Sequence, residues 1–205
     1  VMSEDEAKNL LVTALNITEK DIEKLEIFSS LLLDFNIKYN LISKSTEKLI
    51  WSRHILDSAQ LVKHYDSKSG SKLVDFGTGA GFPGLVLTII NKNPKFHVKL
   101  YEKSPVKRDF LNIIKKKFNL DVAIANNVYD EPIDADIIVS RAFKKIDQII
   151  QISREIIKKP HKIIILKGKN AEIEINNVSL GQNYSYKLRK SITDNDSKII
   201  ILDVR

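Results

Sequence analysis

One stretch constrains the fold more than any other, the segment KLVDFGTGAGFPGLVL from Lys72 to Leu87. It is a short apolar run that ends in closely spaced glycines and leads into a second apolar run. This order is typical of the first strand, glycine turn and helix of a nucleotide-binding α/β domain. Glycine lets the backbone turn tightly after the strand and approach a ligand closely. The segment therefore predicts a cofactor site at the end of a buried strand.

Strand and helix patterns alternate along the rest of the chain. A helix is expected to begin at Ser104-Pro105, a cap followed by a first-turn proline, and another to precede Lys162. The last 23 residues contain two strand patterns joined by the turn-rich SITDNDS, which predicts a hairpin. We expect a doubly wound, Rossmann-like α/β sheet, mostly parallel with an antiparallel C-terminal edge hairpin. Its other strands are predicted at 72–76, 96–102, 121–125, 135–140 and 162–167.

The residues before this sheet have helical patterns. Apolar residues recur at helical spacing from Ile22 to Phe35, and a second helix is predicted from near Thr46 to His64. The polar segment DSKSGSK that follows is a linker candidate. We therefore predict an N-terminal helical extension, residues 1–65, and a cofactor-binding domain, residues 66–205.

Composition excludes several classes of function. The 205 residues contain no cysteine, which excludes disulfides, thiolate nucleophiles and cysteine-ligated metals. We expect no metal site. The acidic N-terminus lacks the apolar region of a signal peptide, and no apolar run is long enough for a membrane span, so we expect a cytoplasmic protein. The net charge of +7 suits a polyanionic partner such as nucleic acid, although a lysine-rich surface that only keeps the protein in solution explains it equally well.

The glycines fit two cofactor classes. Counted from Gly79 they form the dinucleotide fingerprint G-x-G-x-x-G, and counted from Asp75 they form D-x-G-x-G-x-G, the turn of S-adenosylmethionine (SAM) methyltransferases. Glu102, at the end of the second strand, would grip ribose hydroxyls in either class. Three features favour SAM: the acid at Asp75, the helical residues before the domain, and the bulky Phe82-Pro83, which leaves less room for a pyrophosphate. The antiparallel hairpin favours SAM as well.

A combination of motifs resembles one family. RHILDS (Arg53–Ser58), GTGAGFPG (Gly77–Gly84), KRDFL (Lys107–Leu111), SRAF (Ser140–Phe143) and LKG (Leu166–Gly168) follow in order at suitable spacings. The chain resembles the RsmG (GidB) family over about residues 28–205. Members of that family are bacterial enzymes that methylate N7 of one guanine in small-subunit (16S) ribosomal RNA.

The resemblance implies roles for individual residues. Arg141 and Lys167 would act at the target base, with Arg141 also touching the cofactor. Two positions depart from the family pattern: Val128 replaces an arginine that many relatives carry, and Lys198 replaces another, which keeps the charge but loses the bidentate fork. The implied SAM-binding residues are Gly77, Thr78, Gly79, Gly81, Phe82, Glu102, Tyr129, Asp130 and Arg141. The implied RNA-binding residues are Lys107, Arg108, Lys167 and Lys198.

The chemistry of N7 methylation needs few groups. Guanine N7 carries an exposed lone pair and loses no proton, so no general base is required, and the enzyme has to align N7 with the methyl group. Arg141 can donate to guanine O6 or to a phosphate, and Phe143 either stacks on a base or packs in the core. His54 and Asp57 share a helix face, and we interpret them as supports of the pocket.

Two other functions remain open from the residues alone. The chain is alternatively an RNA- or ribosome-binding module with a vestigial SAM pocket, or an NAD-dependent oxidoreductase. The first predicts SAM binding without methyl transfer, and the second predicts binding of a nicotinamide cofactor. We expect a monomer, and either naked rRNA or an assembled subunit as the substrate.

Overall fold

A computed structural model describes residues 2–141 and 145–205. Its single sheet has seven strands in the order β3-β2-β1-β4-β5-β7-β6. Strands β1 to β5 are parallel, and β7 runs antiparallel between β5 and β6. The predicted doubly wound sheet is confirmed, and the outer strand of the closing hairpin is β6. The strands are β1 Lys72–Phe76, β2 His97–Tyr101, β3 Val122–Ala125, β4 Ile137–Arg141, β5 His161–Lys167, β6 Tyr184–Lys190 and β7 Lys198–Val204.

Helices cover both faces of the sheet. The α-helices are α1 Glu4–Thr13, α2 Glu19–Lys38, α3 Asp57–Ala59, α4 Gly84–Ile90, α5 Pro105–Phe118, α6 Ile146–Ile156 and α7 Ala171–Asn176. Helix α5 begins as predicted, because the Ser104 hydroxyl accepts a hydrogen bond from the Lys107 N–H and Pro105 is the first helical residue. Helix α4 begins at Gly84, so Pro83 precedes it instead of lying inside it, and the Phe82–Pro83 peptide bond is cis.

The predicted helix from Thr46 to His64 is a succession of short helical segments. A 3₁₀-helix, Lys44–Leu49, leads into a π-helix, Ile50–Leu56, and a second 3₁₀-helix, Gln60–His64, follows α3. Six of the seven π-helical residues are buried, on all sides of the segment. Wider turns of this kind frequently occur at functional sites.

The N-terminal helices share a hydrophobic core with one face of the sheet. Phe28 of α2 contacts Phe82 of the glycine turn and Phe110 of α5, with ring centroids 5.6 and 6.0 Å apart. The opposite face of the sheet packs against α6 and α7 in a second cluster. The predicted division after residue 65 stays a prediction, and the packing of α2 places the helical extension directly against the glycine turn.

Candidate active site

A cavity of about 470 Å³ opens beside the glycine turn, at the carboxyl ends of β1, β2 and β4. In a doubly wound sheet this is the edge where ligands bind, next to the point where the strand order reverses. One wall comes from the segment that follows α2. Its lining residues are Leu41, Ile42, Ser43, Thr46, His54, Gly77, Thr78, Gly79, Ala80, Phe82, Glu102, Lys107 and Arg141.

The glycine turn leaves open space toward this cavity. Gly79 has φ +61°, and a Cβ atom added to it would meet nothing within 4 Å. The left-handed backbone therefore requires glycine here, and no protein atom fills the space beside it. Gly84, in contrast, lies against the protein, since an added Cβ would come within 2.3 Å of Leu100 and 2.8 Å of Asp75. The two glycines thus have separate roles, one facing a ligand and the other packing the helix onto the sheet.

Asp75 lies beneath the turn. Its Oδ2 accepts a hydrogen bond from the Gly84 N–H at 2.7 Å, and burial raises the pKa of this carboxyl to about 7. Asp75 Oδ1 and Thr78 Oγ1 are both buried, and the Thr78 hydroxyl and the Gly84 N–H oppose the rise in the pKa of Asp75. Asp75 does not line the large cavity, nor a second, smaller cavity that lies next to Glu102. Its hydrogen bond with Gly84 joins β1 to the start of α4. Of the two roles for such an acid, facing the cofactor or capping the loop, the geometry favours capping.

Glu102 stands where the large cavity meets a second one. Its carboxylate accepts hydrogen bonds from the Gly79 and Ser104 N–H groups, each at 2.8 Å. The second cavity, about 140 Å³, lies between the ends of β1 and β2 and the segment after β3. A nucleoside whose ribose lies at Glu102 would therefore place its base in one cavity and its 5′ substituent in the other. The second cavity is lined by Phe76, Gly77, Tyr101, Glu102, Lys103, Asn126 and Val128.

Tyr129 and Asp130, predicted to hold the adenine, do not line either cavity. Tyr129 is 58% exposed, and its hydroxyl donates to Glu155 Oε2 at 3.3 Å. Asn126 and Val128 line the smaller cavity in their place. Asn126 directly follows β3, so its position at the carboxyl end of a strand was the signal that could have identified it. The adenine contacts of Tyr129 and Asp130 stay predictions.

Arg141, at the end of β4, separates the large cavity from a third one. Its Nη2 donates a hydrogen bond to His54 Nδ1 at 2.9 Å, and its guanidinium lies 5.3 Å from the centre of the Phe82 ring. Its Nη1 is buried and has no hydrogen-bond partner among the described residues. A buried donor without a partner is costly, because the lost hydration is not replaced. Because Arg141 lines the cavities on both of its sides, this N–H group is the candidate donor for a ligand in either cavity.

His54 holds the Arg141 guanidinium in place. Its ring stacks on Phe82, with centroids 4.9 Å apart, and its Nε2 lies 2.9 Å from Thr46 Oγ1. Burial lowers the pKa of His54 to about 3, with smaller contributions from the positive charges of Arg141 and Arg53. The ring is neutral at pH 7, so Nδ1 accepts from Arg141 and Nε2 donates to Thr46. His54 supports the pocket as predicted from the sequence, through Arg141 and not through a bond to Asp57.

The wall formed by residues 41–46 was missed by sequence reasoning. Asn36 of α2 is buried, and its side-chain oxygen accepts hydrogen bonds from the N–H groups of Leu41 and Ile42 at 2.8 and 3.0 Å. Its amide nitrogen donates to Glu47. Three contacts of one side chain thus attach the wall to the helical extension. Only Asn36 itself, a polar residue between Phe35 and Ile37 near the end of the helix, could have indicated this arrangement.

The third cavity, about 160 Å³, lies on the other side of Arg141. Asp57 borders it, and its Oδ1 accepts hydrogen bonds from Gln60 and Thr193 at 2.9 and 3.0 Å. The predicted RNA-binding residues Lys167 and Lys198 lie together here. Lys167 also pairs with Glu174 of α7 at 3.1 Å. The cavity is lined by Arg53, Asp57, Arg141, Leu166, Lys167, Gly168, Ser191, Asp194, Ser197 and Lys198.

The two cations at the start of α5 have different surroundings. Lys107 lines the large cavity. Arg108 donates hydrogen bonds through Nη1 to the carbonyl oxygens of Glu102 and Lys103, each at 2.8 Å. These bonds offset the unfavourable position of a cation in the first turn of a helix. Arg108 therefore holds the backbone that presents Glu102, and its contact with RNA stays a prediction. Phe143 lies outside the described residues.

Two features of other protein classes are absent from residues 2–141 and 145–205. No group of three or more histidine, aspartate or glutamate side chains in this part of the chain is arranged to hold a metal ion. No helix there is both long and apolar enough to cross a membrane.

Comparisons with known proteins identify the family of this chain. A profile of the family described as rRNA small subunit methyltransferase G (GidB) matches residues 21–198. The ribosomal RNA small subunit methyltransferase G of Pelagibacter ubique is 34% identical over 191 residues, which cover 90% of this chain and 89% of that protein. The enzyme of the same name from Rickettsia akari is 37% identical over 187 residues, 91% of this chain and 95% of that protein.

Solved structures share the fold at low identity. A SAM-dependent methyltransferase from Aquifex aeolicus aligns with a TM-score of 0.58 and 14% identity, covering 81% of this chain and 98% of that one. Fibrillarin from Aeropyrum pernix, in complex with natively bound SAM, aligns with a TM-score of 0.54 and 14% identity, covering 74% and 75%. At this identity the similarity shows the fold alone.

Proposed function

Because the chain belongs to the rRNA small subunit methyltransferase G family, we propose that it transfers the methyl group of SAM to N7 of one guanine in 16S rRNA. The protein is a SAM-dependent rRNA methyltransferase, and the proposal concerns the target atom and the residues that serve it. The observation that carries the proposal is the buried, unpaired Nη1 of Arg141 at the end of the cofactor cavity.

The residues of the two connected cavities fit SAM. The turn at Gly77, Gly79 and Gly81 has positive φ angles and leaves space beside Gly79. Glu102 keeps lone pairs for ribose hydroxyls, although each of its oxygens already accepts one backbone N–H. Asn126 and Val128 offer a polar and an apolar contact to a flat base. When bound, SAM supplies a methyl group on a positively charged sulfur, which is strongly electrophilic.

The titratable residues around the large cavity support a target atom that needs no deprotonation. His54 cannot act as a base, because its Nδ1 already accepts from Arg141 and its pKa is lowered to about 3. Glu102 accepts two backbone N–H groups. Lys107 and Arg141 are cations. Among the described residues of this cavity, therefore, no free base is present, which suits N7 of guanine and disfavours an exocyclic amine or a ribose hydroxyl.

Arg141 and the third cavity would place the guanine. Arg141 Nη1 can donate to guanine O6, a common partner of arginine at guanine edges. Lys167 and Lys198 border the cavity on the far side of Arg141, where they would meet phosphates next to the target base. The enzyme then contributes alignment and electrostatic stabilisation. We infer a cytoplasmic location, where small-subunit rRNA is found, and a monomer.

A methyl-transfer assay tests the proposal. Labelled SAM is incubated with naked 16S rRNA and with small ribosomal subunits, and the modified base is then mapped. Label at guanine N7 in either substrate is the expected result, and the preferred substrate identifies the form that the enzyme recognises. Label at another atom would overturn the assignment of N7. SAM binding by calorimetry without transfer to either substrate would favour the alternative of a binding module with a vestigial pocket.

A further inference from the structure

Strand β6 forms one edge of the sheet and carries an unusual charge pattern. Within the described residues it pairs with β7 alone, so its outer backbone groups have no neighbouring strand. Its sequence, YSYKLRK, contains three cations and no acid, and all three cations are exposed. Charged residues commonly protect an edge strand from pairing with other chains. Protection of the edge explains the cations of β6 itself. It does not predict further cations on the elements next to β6.

Neighbouring elements bring further positive charge to the same place. Lys187 lies opposite Ile201 and Arg189 opposite Ile199, residues that point into the core beneath the N-terminal helices. Lys187 and Arg189 therefore lie on that face of the sheet. Lys162 of β5 reaches the end of the second 3₁₀-helix there, where its Nζ donates to the His64 carbonyl oxygen at 3.4 Å. Strand β5 and the N-terminal segment thus converge on the outer strand.

His64 reports how closely these cations approach one another. Its pKa is lowered first by burial and then by the positive charges of Arg189, Lys162, Lys63 and Lys187. The charges of four cations from three elements thus act on one histidine, and one of these cations, Lys162, contacts its carbonyl oxygen. We call this group of residues, Lys63, His64, Lys162, Lys187 and Arg189, the basic edge.

Several lysines elsewhere on the surface are paired with acids. Asp134 contacts both Lys72 and Lys159, and Glu131 contacts Lys99. Among the described residues, no acidic oxygen lies within 4 Å of a cation of the basic edge. Asp203 is the acid in register with Lys162, and Arg189 donates only to the neighbouring carbonyl of Leu188. Uncompensated like charges repel, so the folded chain favours an anionic partner at this position.

The basic edge leads to the active site. The last residue of β6, Lys190, is in register with Lys198 of β7, which is in register with Lys167 of β5. Because side chains alternate along a strand, these three lysines lie on the face of the sheet opposite to Lys187 and Arg189. Lys167 and Lys198 border the cavity beside Arg141. Adjacent strands are about 4.8 Å apart and residues rise about 3.3 Å along a strand, so Lys187 lies on the order of 15 Å from Lys167. A polyanion that enters the site reaches Lys187 and Arg189 by passing around the outer side of β6.

We propose that the basic edge binds the sugar–phosphate backbone of the RNA substrate away from the methylated guanine. The inference rests on the proposed function, because it takes the polyanion to be the rRNA that the active site modifies. The contact is independent of base sequence, since lysine and arginine recognise phosphate charge. It supplies affinity and orientation for the RNA and does not touch the reacting atoms.

A pair of charge-matched variants tests this surface. The double variant Lys187→Gln/Arg189→Gln removes two charges from the basic edge. The control Lys116→Gln/Lys117→Gln removes two exposed charges from the last turn of α5, beside the opposite edge strand, β3. Binding to naked 16S rRNA and to small subunits is measured at several salt concentrations. SAM affinity is measured by calorimetry on both variants to establish that the cofactor site is intact.

We expect the basic-edge variant to bind RNA about tenfold more weakly at low salt than the control, with a salt dependence reduced by about 1.4–1.8 in slope. The KM for RNA should rise while kcat at saturating RNA and SAM affinity stay unchanged. Equal RNA binding and equal salt dependence of the two double variants would overturn the proposal. Weaker binding to subunits but not to naked rRNA would also overturn it and would indicate contact with a ribosomal protein. Failure of the wild-type enzyme to methylate rRNA would instead reject the proposed function.

Discussion

Two histidines on opposite faces of the sheet have similar surroundings. His54 and His161 are both buried, and burial lowers the pKa of each. Each belongs to a region where an arginine lies over an aromatic ring, Arg141 over Phe82 at 5.3 Å and Arg154 over Tyr184 at 4.9 Å. Burial, charge and lowered basicity therefore do not distinguish them.

Each histidine belongs to a network of hydrogen-bonded side chains, and the two networks differ in whether every buried donor has an acceptor. His161 Nδ1 donates to the Lys159 carbonyl at 2.7 Å, so Nε2 accepts from the Ser153 hydroxyl, which in turn accepts from the Tyr184 hydroxyl. Every group in that chain has a partner. The His54 network ends at Arg141 Nη1, which has none among the described residues. An unsatisfied donor on a residue that lines a cavity, and not a perturbed pKa, therefore distinguishes the His54 network from the His161 network.

The largest effect is expected when Arg141 is removed. Arg141→Ala should lower methyl transfer at least a hundredfold, about 2.7 kcal/mol, because the donor aimed at the target is lost. SAM affinity should change only a few-fold. Arg154→Ala is the matched control from the other face and should leave transfer unchanged. Single-turnover rates and calorimetry separate the two effects, and a parallel fall of SAM affinity and rate would assign Arg141 mainly to the cofactor site.

The other network should affect stability instead of activity. His161→Ala deletes the acceptor of the buried Ser153 hydroxyl and leaves a small cavity, which should cost about 2 kcal/mol of unfolding free energy. Denaturant unfolding measures this loss. Methyl transfer per folded molecule, assayed well below the unfolding temperature, should stay within twofold of wild type. A large loss of transfer in the folded variant would show that the two networks are coupled, against the comparison drawn above.

The smallest effect concerns pH and His54. The pKa of His54 is about 3 in the folded chain and about 6.5 in an unfolded chain, so between these values the unfolded state binds the extra proton. The contribution of His54 to the unfolding free energy is therefore largest above pH 6.5 and decreases as the pH falls toward 3.

His54→Asn keeps an acceptor near the Nδ1 position and removes the titrating ring. The unfolding free energy of the wild type should fall relative to that of this variant by about 1 kcal/mol between pH 6 and pH 5. Parallel urea titrations at the two pH values provide the measurement. At pH 7 the variant should retain most of the methyl transfer. No change in the stability difference with pH would mean that His54 is protonated in the native state, against the neutral ring inferred from its contacts.

Much of the cofactor site could be predicted because its parts are adjacent in the chain. The strand, the glycine turn and the first residues of α4 lie within Lys72–Ile90, and local backbone chemistry specifies them. Glu102 could be singled out for a similar reason, because it ends the next strand pattern, and its contact with ribose stays a prediction. The adenine contacts of Tyr129 and Asp130 stay predictions. The turn after β3 has no strong local signal, and its path brings Asn126 and Val128 to the cavity while Tyr129 faces solvent.

The contact that matters most for the proposed chemistry could not be predicted in detail. Arg141 and His54 are 87 residues apart, and their hydrogen bond depends on a π-helix that sequence reasoning expected to be an ordinary helix. The wall at residues 41–46 likewise depends on Asn36 of a helix outside the cofactor-binding domain. The basic edge combines three elements that only the strand order brings together.

Local patterns were sufficient for the alternating strands and helices, the glycine turn and the motifs that indicate the family, because backbone geometry and hydrophobic periodicity act over a few residues. Tertiary packing decided which side chains share a cavity, which buried donors are left without partners, and where positive charge collects without a counter-charge. Those outcomes depend on desolvation and on long-range contacts, which arise only when distant segments are folded against one another.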